Sequence, residues 1–190
     1  QNAIKNAATT AVLAITNKTS PNCVREILQY CFAAAKIEEN WNSRVLALRV
    51  IASFGDHAPV QLGNALPQVV PEVTVCMVDV KKEVKEAAHA AMSAACDVIG
   101  NRDIEHMTSH ILRSITNPEE VPEIMHTLAG VTFVQSVQSP ALAMVVPLLI
   151  RGLASRVTAT RRQAAVIIDN MSKLVDDPLD AAPFLLELMT

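Results

Sequence analysis

The sequence predicts an all-α chain, a right-handed superhelical solenoid of paired antiparallel helices. Three observations carry that expectation. Apolar residues recur at helical spacing, the pattern returns about every 40 residues, and strand signals are poor. Aromatics make up only 3% of the 190 residues. No clear run of alternating apolar and polar residues is bounded by turns.

Helical segments beginning at Lys5, Arg44, Lys85, Val121 and Arg161 share one template. From Lys85 the apolar positions are Ala88, Met92, Ala95, Val98 and Ile99, one face of a helix with about 3.6 residues per turn. From Arg161 they are Ala164, Ile168, Met171, Leu174 and Val175. Arg44 leads to Ala47, Ile51 and Phe54, and Lys5 to Ala8, Val12 and Ile15. Val121 leads more loosely to Ile124, Leu128, Val131 and Val134. The five starting residues are separated by 39, 41, 36 and 40 positions. A first helix is expected before each of the last four: 24–37, 66–78, 104–115 and 142–153. Pro71 and Pro147 sit at matching places in two of these, and Pro183 reopens the pattern. An interior proline removes a backbone hydrogen bond and bends its helix. Alanine three positions after four of the five starts lets neighbouring helices approach closely.

A period near 40 with two helices per repeat is the HEAT/armadillo pattern. The expectation is one array over residues 1–190, about four to five repeats, forming part of a longer protein. Asp79 and Lys85 flank the turn between the helices of one repeat. HEAT repeats place an acid and a base at about that spacing, and successive repeats pair them in a ladder. Here the ladder is incomplete. Glu38 precedes Arg44, but Ile115 precedes Val121 and Ser155 precedes Arg161.

Composition removes several function classes. With 51% apolar and 18% charged residues, the chain is too hydrophobic to be disordered. Its longest apolar run, Ala141–Ile150, is about half of what a membrane-spanning helix needs. A net charge of −3 does not suit a wholly basic nucleic-acid binder. Cys23, Cys31, Cys76 and Cys96 form no CxxC pair and read as buried thiols of a reducing compartment. His106 and His110 are four apart beside Asp103 and Glu105. No glutamate lies between them as HExxH requires, so a surface pair is expected rather than zinc. His89, in an alanine-rich helix, reads as a packed or edge residue. Trp41 and Tyr30 lack interleaved bases and are expected to pack between repeats. No glycine fits GxxxxGK[ST], so ATP binding is not expected of this chain.

One basic cluster stands out: Arg151, Arg156, Arg161 and Arg162. The stretch 154–160 reads as the turn between two helices, and Lys81 and Lys82 occupy the corresponding turn two repeats earlier. Turns of a solenoid line one edge. Lys81, Lys82, Arg156, Arg161 and Arg162 are therefore candidates for contact with phosphate. The competing expectation is ladder pairing plus a solvated edge.

Particular stretches resemble a known family. Asp79–Ala88, Asn101–Glu105, Pro118–Glu123, Met144–Leu153 and above all Ala165–Val175 are similar to the HEAT text of the translation elongation factor 3 family. A second resemblance is to the HEAT segment of the large general-control translational activator, which shares the Pro-Leu-Leu and Asn-Met text. The first resemblance implies a cytoplasmic, ribosome-associated ATPase that helps release deacylated tRNA from the exit site. It implies a HEAT array docking on ribosomal RNA and ribosomal proteins, with ATP bound by cassettes elsewhere. No membrane, cofactor or small-molecule partner is expected for this segment. The second implies a scaffold that binds a protein.

Overall fold

The structure, a computed structural model, describes residues 2–105 and 107–189. It divides into two compact units, Gln1–Val98 and Ile99–Thr190. Among the described residues there are helices, turns and one isolated backbone bridge, Val137 to Val175. The all-α HEAT-repeat expectation holds.

The first unit holds α1 (Asn2–Thr16), α2 (Val24–Ala35), α3 (Trp41–His57), α4 (Pro59–Met77) and α5 (Lys82–Asp97). The second helices of three repeats, α1, α3 and α5, match the segments expected from Lys5, Arg44 and Lys85. Within each repeat α2 pairs with α3 and α4 with α5. Between repeats α2 lies on α4, and α1 and α5 both lie against α3. The α3 start is fixed by Asn40, whose Oδ1 accepts from the amides of Asn42 (3.2 Å) and Ser43 (3.4 Å). This satisfies two of the four amides that a helix start leaves without partners. Helix α4 begins at Pro59, seven residues before the expected start, because a proline at the first helical position loses no hydrogen bond. It runs on through Pro67 and Pro71.

The core of this unit is apolar and mostly aliphatic: Leu28, Leu48, Ile51, Leu62 and Leu66, with the aromatic Phe54, are at most 1% exposed. In α5 the first three positions of the expected stripe, Ala88, Met92 and Ala95, are all at 0% exposure, whereas Val98 and Ile99 fall beyond the end of the helix and are half-buried. Small residues set the spacing. A Cβ added to Gly55 in α3 would lie 3.0 Å from the Ala94 Cβ of α5. The α1 stripe departs from expectation. Ala8, Val12 and Ile15 are exposed, because no helix among the described residues covers that side of α1. Gly100, two residues beyond the cap of α5, has φ +65, a conformation that residues with a Cβ rarely adopt.

The second unit holds α6 (Arg102–Glu105), α7 (Thr108–Thr116), α8 (Val121–Ala129), α9 (Ser139–Leu153), α10 (Thr158–Ser172) and α11 (Pro178–Met189). Two short helices, α6 and α7, stand where one first helix was expected over 104–115. Helix α9 is the centre, packed by α7, α8, α10 and α11. It buries every residue from Ala141 to Val146, with Leu148, Leu149 and Gly152. That all-round apolarity explains the longest apolar run of the sequence, Ala141–Ile150: it is core text. A Cβ on Gly152 would lie 2.8 Å from Met125 Sδ and 3.0 Å from Ala164 Cβ. In α10 the buried positions are Thr160, Ala164, Ile167 and Met171, while Ile168 is half-buried. Among the described residues no helix is long and apolar enough to cross a membrane.

Three of the four thiols are buried and Cys23 is exposed. Burial pushes Cys31 and Cys96 up to about 12 from an ordinary 9.0. Cys76 is also raised, by burial first and then by the Asp79 carboxylate.

This packing has three measurable consequences. Ala88→Leu forces a larger side chain into a closed helix contact and is expected to cost about 1–3 kcal/mol, measured as a lower melting temperature; no change would mean that α5 does not rest on this face. Alkylation at neutral pH is expected to label Cys23 in the folded chain and the other three thiols only after unfolding. The buried thiols bind their protons more tightly folded than unfolded. Stability is therefore expected to fall as pH rises from 9.0 toward 12, read by chemical denaturation across that range.

Candidate functional site

Two turns that lead into second helices, those before α3 and α10, are each built around one arginine, Arg44 and Arg161. Arg44 stands in the first turn of α3, with its side chain 9% exposed. Its Nη1 donates to the carbonyls of Ile37 (2.8 Å) and Glu38 (2.7 Å), closing the turn that leads into α3. Its Nη2 donates to Asp79 Oδ1 at 3.4 Å, and Nε lies 3.2 Å from Asp79 Oδ2. Asp79 belongs to the next repeat, where its Oδ1 also accepts from the Lys81 amide at 2.8 Å. The acid of one repeat thus pairs with the base of the repeat before it. Lys85 takes no part and is exposed. The Glu38 contribution is its carbonyl; its carboxylate points to solvent.

Arg161 repeats half of this arrangement in the second unit. Its Nη1 donates to the carbonyls of Ser155 (2.8 Å) and Arg156 (3.1 Å), and Nη2 reaches Thr158 Oγ1 at 3.1 Å. It is half-buried. Sequence alone placed Arg161 beside Arg156 and Arg162 as an equal; the structure separates them. Arg161 holds the turn, whereas Arg156 and Arg162 are exposed. Arg151 is also engaged, its Nη1 donating to the Ser114 carbonyl of the preceding repeat at 2.8 Å. Lys81 and Lys82 are exposed at the turn before α5, and Lys82 makes a loose surface pair with Glu86 at 3.6 Å. Surface pairs of this kind contribute little to stability, so Lys82 remains available.

Other expectations meet mixed outcomes. Trp41 does join repeats: Lys5 Nζ of α1 lies 4.4 Å from the centroid of its ring, a cation–π contact. Tyr30 does not pack between repeats as expected. It is 78% exposed, because it falls on the outer side of α2. His89 is exposed. His106 lies outside the described residues, so the His106–His110 pair is not defined by the structure. Asp103 has a different task. Its Oδ2 accepts from the amides of Val134 (2.7 Å) and Gln135 (2.8 Å). Asn101 Nδ2 donates to the Ser136 carbonyl at 3.2 Å. These two side chains pin the long loop between α8 and α9, satisfying backbone groups that no helix satisfies. Among the described residues, no three His, Cys, Asp or Glu side chains cluster to hold a metal.

Removing one partner of a buried ion pair strands the other. Arg44→Met is therefore expected to cost about 3–5 kcal/mol, while Arg162→Met, at an exposed site, should change stability by less than about 0.5 kcal/mol. Thermal melts of the two variants check the contrast; equal effects would mean that the Arg44 pair is not structural.

Comparison with known proteins agrees with this architecture. The family model described as EF3 N-terminal HEAT repeat matches residues 1–92. A second, Elongation factor 3/GNC1 HEAT repeat, matches residues 120–190. Elongation factor 3 of Phytophthora infestans is 44% identical over 186 residues, covering 98% of this chain and 18% of that protein. Elongation factor 3B of Saccharomyces cerevisiae is 41% identical over 188 residues, covering 99% and 18%. Elongation factor 3 of Candida albicans is 41% identical over 186 residues, covering 98% and 18%. The chain therefore spans about a fifth of these relatives' length. Two HEAT models of one family on a fold of stacked helix pairs lead to one conclusion: the chain is a HEAT-repeat segment belonging to the elongation factor 3 family.

Proposed function

We propose that this segment docks an elongation factor 3-like protein on the ribosome and so supports release of deacylated tRNA from the exit site. The observation that carries the reading is the pair Arg156 and Arg162. Both are exposed beside a turn that Arg161 holds in shape, and among the described residues neither has an ion-pair partner. A turn already held in shape presents these charges without reordering the backbone, and the gain on meeting phosphate comes from counterion release. Lys81 and Lys82 offer the same chemistry at the corresponding turn of the first unit. Ribosomal RNA and ribosomal proteins are the partners in this reading, and the setting is cytoplasmic. ATP would be bound by other segments of the full-length protein; with no phosphate-binding loop in the sequence, this chain is expected to hydrolyse none.

The test is cosedimentation of the chain with ribosomes at two salt concentrations. Arg156→Glu with Arg162→Glu is expected to weaken binding and to make its salt dependence shallower by about one unit of slope per lost phosphate contact. Lys81→Glu with Lys82→Glu serves as a second pair. Melting temperatures of both should stay at the wild-type value, since all four side chains are exposed. Wild-type binding and slope in both folded variants would remove these turns as the docking surface.

A further inference from the structure

A cavity of about 140 Å³ lies among α9, α10 and α11 in the second unit. Leu142, Val146 and Leu149 of α9, Met171 of α10, and Ala181 and Phe184 of α11 form its wall, each at most 7% exposed. It therefore enters the core of the unit rather than lying on its surface. Ile168 and Val175, both half-buried, stand at its mouth. The sequence supplies a reason for the space. Both α9 and α11 carry an interior proline, Pro147 and Pro183. Each removes a backbone hydrogen bond and bends its helix, and two bent helices do not interdigitate along their whole length.

The chemistry of the wall restricts what fits. No charged residue lines the cavity. Its one side-chain hydroxyl, on Ser172, already donates to the Asp169 carbonyl at 2.9 Å. A bound water needs about two to four polar partners, and these side chains do not supply them. An apolar cavity of about 150 Å³ is large enough for benzene, so this one matches a single ring in size as well as in polarity. The turn that leads into α11 sets the sign of charge outside. Its one base, Lys173, is paired with Asp169 at 2.6 Å, and Asp176 and Asp177 are exposed. A ligand carboxylate would find no unpaired base there and would face two aspartates.

We propose that this cavity is a binding site for a small neutral apolar molecule about the size of one aromatic ring. The ring rests on Val146 and Leu149, with Met171 and Phe184 on its flanks. Binding ties α11 to α9 and α10 and stabilises this end of the second unit. The site is separate from the basic turns assigned to ribosomal RNA and does not depend on that assignment.

The experiment uses the full 190-residue chain with labelled methionine methyls, and toluene as the probe. Toluene is expected to shift the Met171 methyl through its ring current and to leave Met92, in the core of the first unit, unmoved. It should also raise the melting temperature as its concentration rises. Benzoate, the same ring with a carboxylate, should do neither. Ala181→Leu fills the cavity from α11, and Val175→Phe fills it from the half-buried mouth, so a folding failure in one leaves the other to decide. Each folded variant is expected to lose the Met171 shift. No Met171 shift with toluene, an equal shift with benzoate, or a shift that survives the fillings would each overturn the proposal. So would a Met171 signal that moves with protein concentration alone, since a second copy would then be the occupant.

Discussion

Close approach between second helices governs the first unit. Where α3 crosses α5, one side of the contact is a glycine and the other an alanine, and an added Cβ at Gly55 would already stand 3.0 Å from Ala94. At so short a distance backbones fill the space that side chains fill elsewhere. The larger residues are displaced to the flanks, where Phe54, Leu48 and Met92 complete the core. Alanine is also the best helix former, so the residues that permit the approach also favour the helices that make it. Gly152 has the same part in the second unit, where α9 meets α8 and α10.

Upon that spacing the turns are set, and the turns divide the basic residues by task. An arginine at the start of a second helix reaches back to the carbonyls of the preceding turn, so its guanidinium is spent on structure. Bases one position on, or within the turn itself, have no such acceptor and face solvent. Arg161 and Arg162 are neighbours in sequence and differ for this reason. The same separation distinguishes Lys81 and Lys82, which face outward, from Asp79, which faces in.

The second helices α3, α5 and α10 were legible because each buries a stripe at 3.6-residue spacing, and Arg44, Lys85 and Arg161 sit at matching points of it. First helices were legible in place but not in extent. Pro59 looks like a break and is in fact a favourable start, while the 104–115 text divides into α6 and α7. The α1 stripe reads like the others, yet its exposure depends on neighbours that a residue pattern does not name. The basic candidates were found as a group, but the inward turn of Arg161 depends on carbonyl positions, which carry no signal in side-chain identity. Asp103 was weighed as a metal neighbour; its bonds to Val134 and Gln135 join residues more than 30 apart.

The Arg44 contacts have a consequence for how the first unit assembles. Two of its acceptors, Ile37 and Glu38, lie in its own repeat and are in place once that turn closes. The third, Asp79, arrives only when the following repeat docks. Until then a guanidinium destined for burial lacks its counter-charge. Docking removes that imbalance at the moment it buries the helices. The arginine therefore acts as a nearest-neighbour coupling in a one-dimensional array, favouring propagation from one formed repeat to the next over independent fraying of either.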